Sequence, residues 1–561
     1  MFQFSGDRSG PASQAGAAAA GAAALDEVDY IVVGAGSAGC VLAARLSEDP
    51  AARVLLLEAG PPDRSLWIHL PIGYGKTMWS PTYNWCFHTE PDPGMNGRRI
   101  YWPRGKTLGG SSSINGLIYI RGQREDYDAW AAQGNPGWEW DEVLPYFVRS
   151  ETNQRGASAF HGDAGPLKVS DIGGRHELIE AFIAGAGERG VPRTDDFNGA
   201  QQEGAGYYQL TTWDGWRCST AKAYLRPARK RPNLRIATGA QATGLCFEGT
   251  SRRVVGVEYL QGGVRKRASA RAEVLLAAGA IQSPQLLQLS GIGPPALLAE
   301  HGIPLRHALE GVGENLQDHL QIRLIYECTK PITTNDQLNS WWGQVRIALQ
   351  WLFARSGPLA VGINQGGCFM RALPESATPD IQFHVATLSA DMAGAKVHPY
   401  SGFTLSVCQL RPSSRGHVRI RSADPLVPPA MQANYLSTEL DRRTAVAAVR
   451  AARAIAAAPA MAPYVAREVK PGPQAADDAA LLAFCRDHGA TIFHPSGTCA
   501  MGPDPARGAV VDARLRVHGV QGLRVVDCSA MPTLVSGNTN APAVMMAEKA
   551  VDMILEDARQ R

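Results

Sequence analysis

The apolar positions of this chain change their period several times, and each change marks an element. Tyr30-Ile-Val-Val33 is a continuous, β-branched run of the kind that forms a strand buried on both faces. Ser37 to Leu46 then sets Val41, Leu42 and Leu46 along one helical stripe. Arg53 to Glu58 is a second apolar run that ends in a carboxylate. Val274 to Pro294 repeats the theme of strand, glycine turn and helix, and is expected to return to the same sheet. Between about 316 and 480 the period shortens. Segments in the 320s, Ile381–Ala386, Phe403–Leu410 and His417–Ile420 read as antiparallel strands. Asp441 to Ala457 is an amphipathic helix, and Trp341 to Phe353 an aromatic-rich helix whose apolar face is expected to lie in the core. Leu523 to Pro532, running into Ala543–Leu555, closes the chain with one more strand, turn and helix. The class is α/β, with an antiparallel layer inserted.

Chemistry enters at the first turn. Gly34, Gly36 and Gly39 stand in G-x-G-x-x-G spacing between the first strand and the first helix. The first allows the tight turn, the second lets backbone approach a pyrophosphate, and the third lets helix pack against strand. Ser37 and Ala38 open the helix, whose N-terminus offers free N–H groups and partial positive charge. Glu58, followed by Ala59, falls 19 residues after Gly39, close to the ~20 expected of the acid that holds a ribose hydroxyl. Strand, glycines, helix, strand and acid in this order predict dinucleotide binding, without separating NAD from FAD. A second loop, Leu108-Gly-Gly-Ser-Ser-Ser-Ile-Asn115, is rich in unobstructed donors suited to phosphate or a flat ring. Gly60 to Trp85, dense in Pro, Gly, Trp and Tyr, is expected to be irregular and to cover the cofactor or border the site.

Composition narrows the setting. At 561 residues the chain exceeds one core, so two or more packed units are expected. A net charge of +3, from 55 basic and 52 acidic residues, gives no reason to expect a nucleic-acid partner. Ten cysteines without a C-x-x-C pair read as reduced thiols and a cytoplasmic setting, and no metal site is expected. Residues 1–25, rich in Gly, Ala and Ser with Asp7 beside Arg8, read as a flexible extension rather than a secretory signal. With no run of 18 apolar residues, no membrane span is expected. Peripheral contact at the inner membrane stays open, with the Trp341–Phe353 helix and the Trp67–Met78 loop as its candidates.

Four blocks together resemble the glucose–methanol–choline (GMC) oxidoreductases, in particular their choline-dehydrogenase-like branch. They are Gly34–Glu58, Arg104–Asn115, Gly279–Pro294, and His494-Pro-Ser-Gly-Thr-Cys-Ala-Met-Gly502 followed by Asp527–Pro542. The resemblance implies FAD and a fold in which a discontinuous nucleotide domain carries a substrate domain with a sheet of about six strands. On that pattern 26–160, 205–315 and 482–561 build the FAD domain, and 161–204 with 316–481 the substrate domain. It implies Gly34, Gly36 and Gly39 at the pyrophosphate and Glu58 at the adenosine ribose. Leu108, Gly109, Gly110, Ser111, Asn115, Gly116 and Leu117 would line the pyrophosphate and isoalloxazine, and Ala242 would meet adenine through its backbone. Asp527 and Cys528 would sit by the ribityl chain, and Thr539 and Asn540 near the flavin ring.

The family's base corresponds to His494 and its partner to Asn538. An imidazole near neutral pKa suits removal of a hydroxyl proton while hydride leaves the alcohol carbon. Asn538 cannot take that proton but can hydrogen-bond the substrate oxygen. Ile114 stands where some members attach FAD to a histidine, so the flavin is expected to be non-covalent. Gln365 stands where choline-oxidising relatives offer a carboxylate, which favours an uncharged primary alcohol over choline. The expected activity is oxidation of a primary alcohol to an aldehyde, with electrons passed to a quinone or other carrier. An oxygen-using oxidase, a choline dehydrogenase, a non-redox hydroxynitrile lyase and a silent flavin-binding scaffold are the alternatives.

Overall fold

The computed structural model describes residues 26–392 and 394–560; the expected N-terminal extension, 1–25, lies outside them. The first strand, β1 (Asp26–Val33), leads into helix α1 (Ser37–Leu46) and strand β2 (Val54–Glu58). Tyr30 to Val33 are buried and pair in parallel with Val54 to Leu57. The tight return depends on Gly39, where a Cβ would lie 1.8 Å from the Gly34 carbonyl oxygen. Leu234–Thr238 adds beyond β2, and the long strand Val264–Leu276 adds on the other side of β1, both in parallel. That long strand serves two neighbours. Its first half takes Val254–Gln261 antiparallel, and its last residues take Leu523–Val525 in parallel. The expected return of Val274–Pro294 to the first sheet is therefore met, and the helix Gly279–Leu289 follows it.

The second sheet runs in the order Val465–Lys470, Leu320–Cys328, Gly402–Gln409, Ile381–Ala386, Asn364–Met370, Gly204–Tyr207, with the short Ala490–Thr491 beside Leu320. Its alternation decides what each face does. Ile322, Leu324, Phe383, Val385, Leu405 and Val407 are all buried in one apolar cluster with residues of the helices Glu177–Gly187 and Glu439–Ala456. The intervening residues Gln321, Arg323, His384, Ala386, Thr404 and Ser406 share the opposite face. Every residue of that second set lines the cavity between the two sheets.

Two expectations are corrected. The helix Trp341–Ala354 forms as expected, but its apolar face is not core: only Ile347 is buried, while Trp342 is 72% and Phe353 81% exposed. Trp351 packs on Trp216 and Arg355. The stretch after Glu58 is less irregular than expected, with short helical turns at Leu66–His69, Pro71–Gly73 and Tyr74–Thr77. Asn364–Met370, which carries Gln365, is an inner strand of the second sheet. The ten cysteines are free thiols. Among the described residues no helix is long and apolar enough to cross a membrane, and no cluster has the makings of a metal site.

Candidate active site

A cavity of about 430 Å³ lies between the C-terminal ends of the parallel strands and the polar face of the antiparallel sheet. Of the residues expected at a cofactor, Gly34, Gly36, Ser37, Ala38, Glu58, Ala59, Gly110, Ser111, Asn115, Gly116, Leu117, Ala242, Asp527, Cys528, Thr539 and Asn540 line it. Gly39, Leu108 and Gly109 do not; Gly39 sits at the α1–β1 crossing and Leu108 packs against the core of the first sheet. Gln365 does not line it either. A bulge between Asn364 and Gly366 interrupts the strand there, and Ile363 and Asn364 face the cavity instead. The argument that Gln365 stands at a substrate cation therefore loses its footing.

The wall fits FAD. No side chain caps α1, so the N–H groups of its first turn stay available where Gly36 to Ala38 meet the cavity. Gly110 lies so close to this turn that a Cβ there would come within 2.6 Å of the Gly36 Cα, leaving bare backbone at the cavity wall. Glu58 is oriented by the N–H groups of Ala35 at 2.9 Å and Gly60 at 2.8 Å, and burial pushes its carboxyl up to about 7. Ser37 Oγ donates to Asn540 Oδ1 at 2.8 Å, tying the first and last helices together at the cavity edge. Asp527 accepts from Gly279 N, Ser283 Oγ and Ser529 N at 2.6–2.8 Å. Arg217, buried without a carboxylate, donates to Ser112 O at 3.1 Å and to Asn115 Oδ1 at 2.7 Å, holding the Gly/Ser loop. Burial lowers its guanidinium to about 9.

Beyond this loop sit His494 and Asn538, joined by His384 and His319, which the sequence reading had not singled out. His319 Nε2 lies 2.8 Å from the Leu410 carbonyl, and a carbonyl only accepts, so that nitrogen carries the proton. Burial pushes His319 down to about 4, so its ring is neutral and Nδ1 holds a lone pair. His494 Nδ1, 3.0 Å away, must then donate to it. The lone pair of His494 is left on Nε2, where Asn538 Nδ2 approaches at 3.3 Å. Gln382 Nε2 donates to Asn538 Oδ1 at 3.2 Å, which fixes the amide the same way round. Burial holds His494 well below the usual imidazole range, and charge on His319, His384 or Arg104 opposes its protonation further. The backbone is clamped too: His494 N donates to Asp318 Oδ1 at 2.8 Å, and Phe493 before it has φ +74°. Leu117 across the cavity has φ +73°. Such values in bulky residues cost ~1–3 kcal/mol each and persist only where the surroundings over-determine them.

His384 faces the same space. Among the described residues neither of its ring nitrogens has a hydrogen-bond partner at normal geometry, although Asn538 lies near the ring, so His384 has hydrogen-bonding capacity to spare at the cavity wall. A signal for it existed in the strand Ile381–Ala386, whose polar positions alternate with Phe383 and Val385.

The GMC oxidoreductase family model matches residues 28–321, and its C-terminal counterpart matches 412–547. The mitochondrial choline dehydrogenase of Homo sapiens is 46% identical over 544 residues, 96% of this chain and 91% of that protein. The oxygen-dependent choline dehydrogenase of Escherichia coli O127:H6 is 47% identical over 535 residues, 94% of this chain and 95% of that protein. The crystal structure of pyridoxine 4-oxidase from Mesorbium loti aligns with a TM-score of 0.84 at 33% identity, covering 94% of this chain and 98% of that one. A fungal aryl-alcohol oxidase aligns with a TM-score of 0.85 at 26% identity, covering 95% and 100%. Matches of this length and identity settle the lineage: the chain belongs to the GMC oxidoreductase family and is an FAD-dependent oxidoreductase acting on CH–OH groups.

Proposed function

We propose that this enzyme oxidises a primary alcohol to its aldehyde, with His494 taking the hydroxyl proton. The observation that carries this is the directional chain from the Leu410 carbonyl through His319 to His494, which leaves the basic lone pair on Nε2 at the cavity surface. FAD, held along α1 and the Gly/Ser loop, supplies the hydride acceptor at N5. The hydroxyl displaces Asn538 Nδ2 from Nε2, and the amide then donates to the alcohol oxygen while His384 bounds its other side. Closure of the cavity wall around the carbon supplies positioning, which is worth more than any single contact. Ile114, an aliphatic side chain at the cavity wall with nothing to bond a flavin, supports non-covalent attachment.

Electrons would leave to a quinone or another carrier. The exposed Trp341, Trp342, Leu349, Leu352 and Phe353 offer an apolar face for peripheral membrane contact, with Leu338 at the foot of that helix lining the cavity. Use of oxygen is the second reading, favoured by the name of the Escherichia coli relative. Anaerobic mixing with a panel of alcohols tests the reaction: the flavin absorbance should bleach, and acid precipitation should release the flavin. Rapid recolouring in air would make the enzyme an oxidase and slow recolouring a dehydrogenase. A panel that leaves the flavin oxidised throughout would sink the reading.

His319 is a positioning residue in this scheme, and its role has a pH signature. Because burial lowers the His494 pKa, the neutral base persists as pH falls, so kcat/KM should stay flat through 6.5 and drop only below it. Replacing His319 with Phe removes the acceptor for Nδ1–H, a bond that strengthens when His494 is protonated. The rate should fall on the order of 10- to 100-fold, with the acid limb moving further down in pH. His319→Asn, whose carbonyl can accept the Nδ1 proton, should recover part of the rate. An unmoved acid limb in His319→Phe would mean that the residue is only packing.

A further inference from the structure

The sheet side of the cavity carries a positive charge that no carboxylate among the described residues neutralises. Arg323 sits on the strand Leu320–Cys328 opposite Ser406, which is itself opposite His384, so the three share the cavity face of the sheet. Its Nε donates to Gln321 Oε1 at 3.1 Å, and its two terminal nitrogens make no hydrogen bond within the protein among the described residues. The other interior arginines are spent. Arg121 pairs with Glu151 at 3.0 Å and Arg524 with Glu273 at 2.6 Å, while Arg217 and Arg104 give their N–H groups to loop carbonyls. The carboxylates that line the cavity, Glu58 and Asp527, lie on the nucleotide-binding loops and already take two and three donors.

A guanidinium with an open fork inside a cavity is costly unless something entering the cavity completes it, and a carboxylate does so with two parallel bonds. We propose that Arg323 anchors an anionic group of the substrate, so that the alcohol this enzyme prefers is a short ω-hydroxy carboxylate rather than a quaternary ammonium alcohol. The inference rests on the alcohol-oxidation reading above and gives that reaction its substrate class. Strand spacing sets the length. Arg323 and His384 are two strands apart, on the order of 10 Å between backbones, and both side chains reach inward, which leaves room for a chain of a few carbons. A trimethylammonium group would meet like charge there and no acid among the described residues.

The test compares 4-hydroxybutanoate, 1-butanol and choline as reductants of the bound flavin under anaerobic conditions, in the wild type, Arg323→Gln and Arg323→Lys. Flavin content per chain reports folding of each variant. Unreactive butanoate, titrated against the flavin absorbance of the holoenzyme, measures anion binding without turnover. Butanoate should perturb the wild-type spectrum and compete with 4-hydroxybutanoate. The preference for the hydroxy acid over butanol should fall on the order of 10- to 100-fold in Arg323→Gln and return in part in Arg323→Lys. Choline as the best reductant, or a wild-type spectrum blind to butanoate, would overturn the assignment. If no alcohol reduces the flavin, the oxidation reading fails instead, and the butanoate titration still decides whether Arg323 is an anion site.

Discussion

His494→Ala should slow anaerobic flavin reduction by ~10²–10⁴-fold, the usual worth of a positioned general base, with the flavin still bound. The side chain lies between two groups that both survive its removal. His319 keeps its bond to the Leu410 carbonyl, and Asn538 keeps Gln382. The backbone at this position is held independently through the bond of His494 N to Asp318. The loss therefore belongs to the proton step rather than to the fold, and equal flavin content in the two proteins checks that. His494→Gln is the sharper comparison, since its amide can hydrogen-bond but cannot accept a proton at neutral pH. If the glutamine variant reduced its flavin at the wild-type rate, His494 would be an orienting group and some other side chain the base.

The second large effect is expected at the first glycine turn. In Gly39→Ala the new methyl would stand 1.8 Å from the Gly34 carbonyl oxygen and 3.0 Å from its carbon, and both are backbone atoms. Neither can rotate away, so α1 must lift from β1. That disrupts the buried face formed by Val41, Leu42 and the strand residues below, at a cost of about 3 kcal/mol or more. Purified Gly39→Ala should carry little or no flavin and unfold at lower temperature. Gly36→Ala separates the two functions of the turn. There the nearest atom to a Cβ is the Ala277 carbonyl oxygen at 3.8 Å, so the fold has room for it, but the methyl projects where pyrophosphate must approach. Gly36→Ala should therefore lose flavin while its apoprotein stays as stable as flavin-free wild type. A Gly39→Ala protein with a full flavin complement would show that the α1–β1 approach does not govern binding.

Much of the fold is legible along the chain because it depends on neighbours in sequence. The β1–α1–β2 unit needs its glycines at fixed offsets and an apolar run on each side, and every one of these requirements lies within 33 residues, Asp26 to Glu58. The helices Ser37–Leu46 and Glu439–Ala456 follow from stripes that repeat within a few turns. The candidate base was legible for a different reason, since His494 sits in a block whose resemblance carries its role.

Other features depend on which distant segments meet. Gln365 and Asn364 are adjacent in sequence, and only the bulge in their strand decides which of them faces the cavity. The Trp341–Ala354 helix has the composition of a core helix, yet only Ile347 of it is buried and its aromatic face is bare.

The sequence by itself determined the nucleotide-binding turn, the antiparallel inserted layer and the residue types at the site, because local sterics and hydrophobic period act over a few residues. The tertiary structure alone decided the direction of the hydrogen-bond chain at His494. That direction is set by His319 against the Leu410 carbonyl, 91 residues away in the chain, and by strand registers that bring Arg323, Ser406 and His384 onto one face. A hydrogen-bond donor or a charge takes its chemical meaning from what stands within about 3 Å of it, and in this protein those neighbours come from distant parts of the chain.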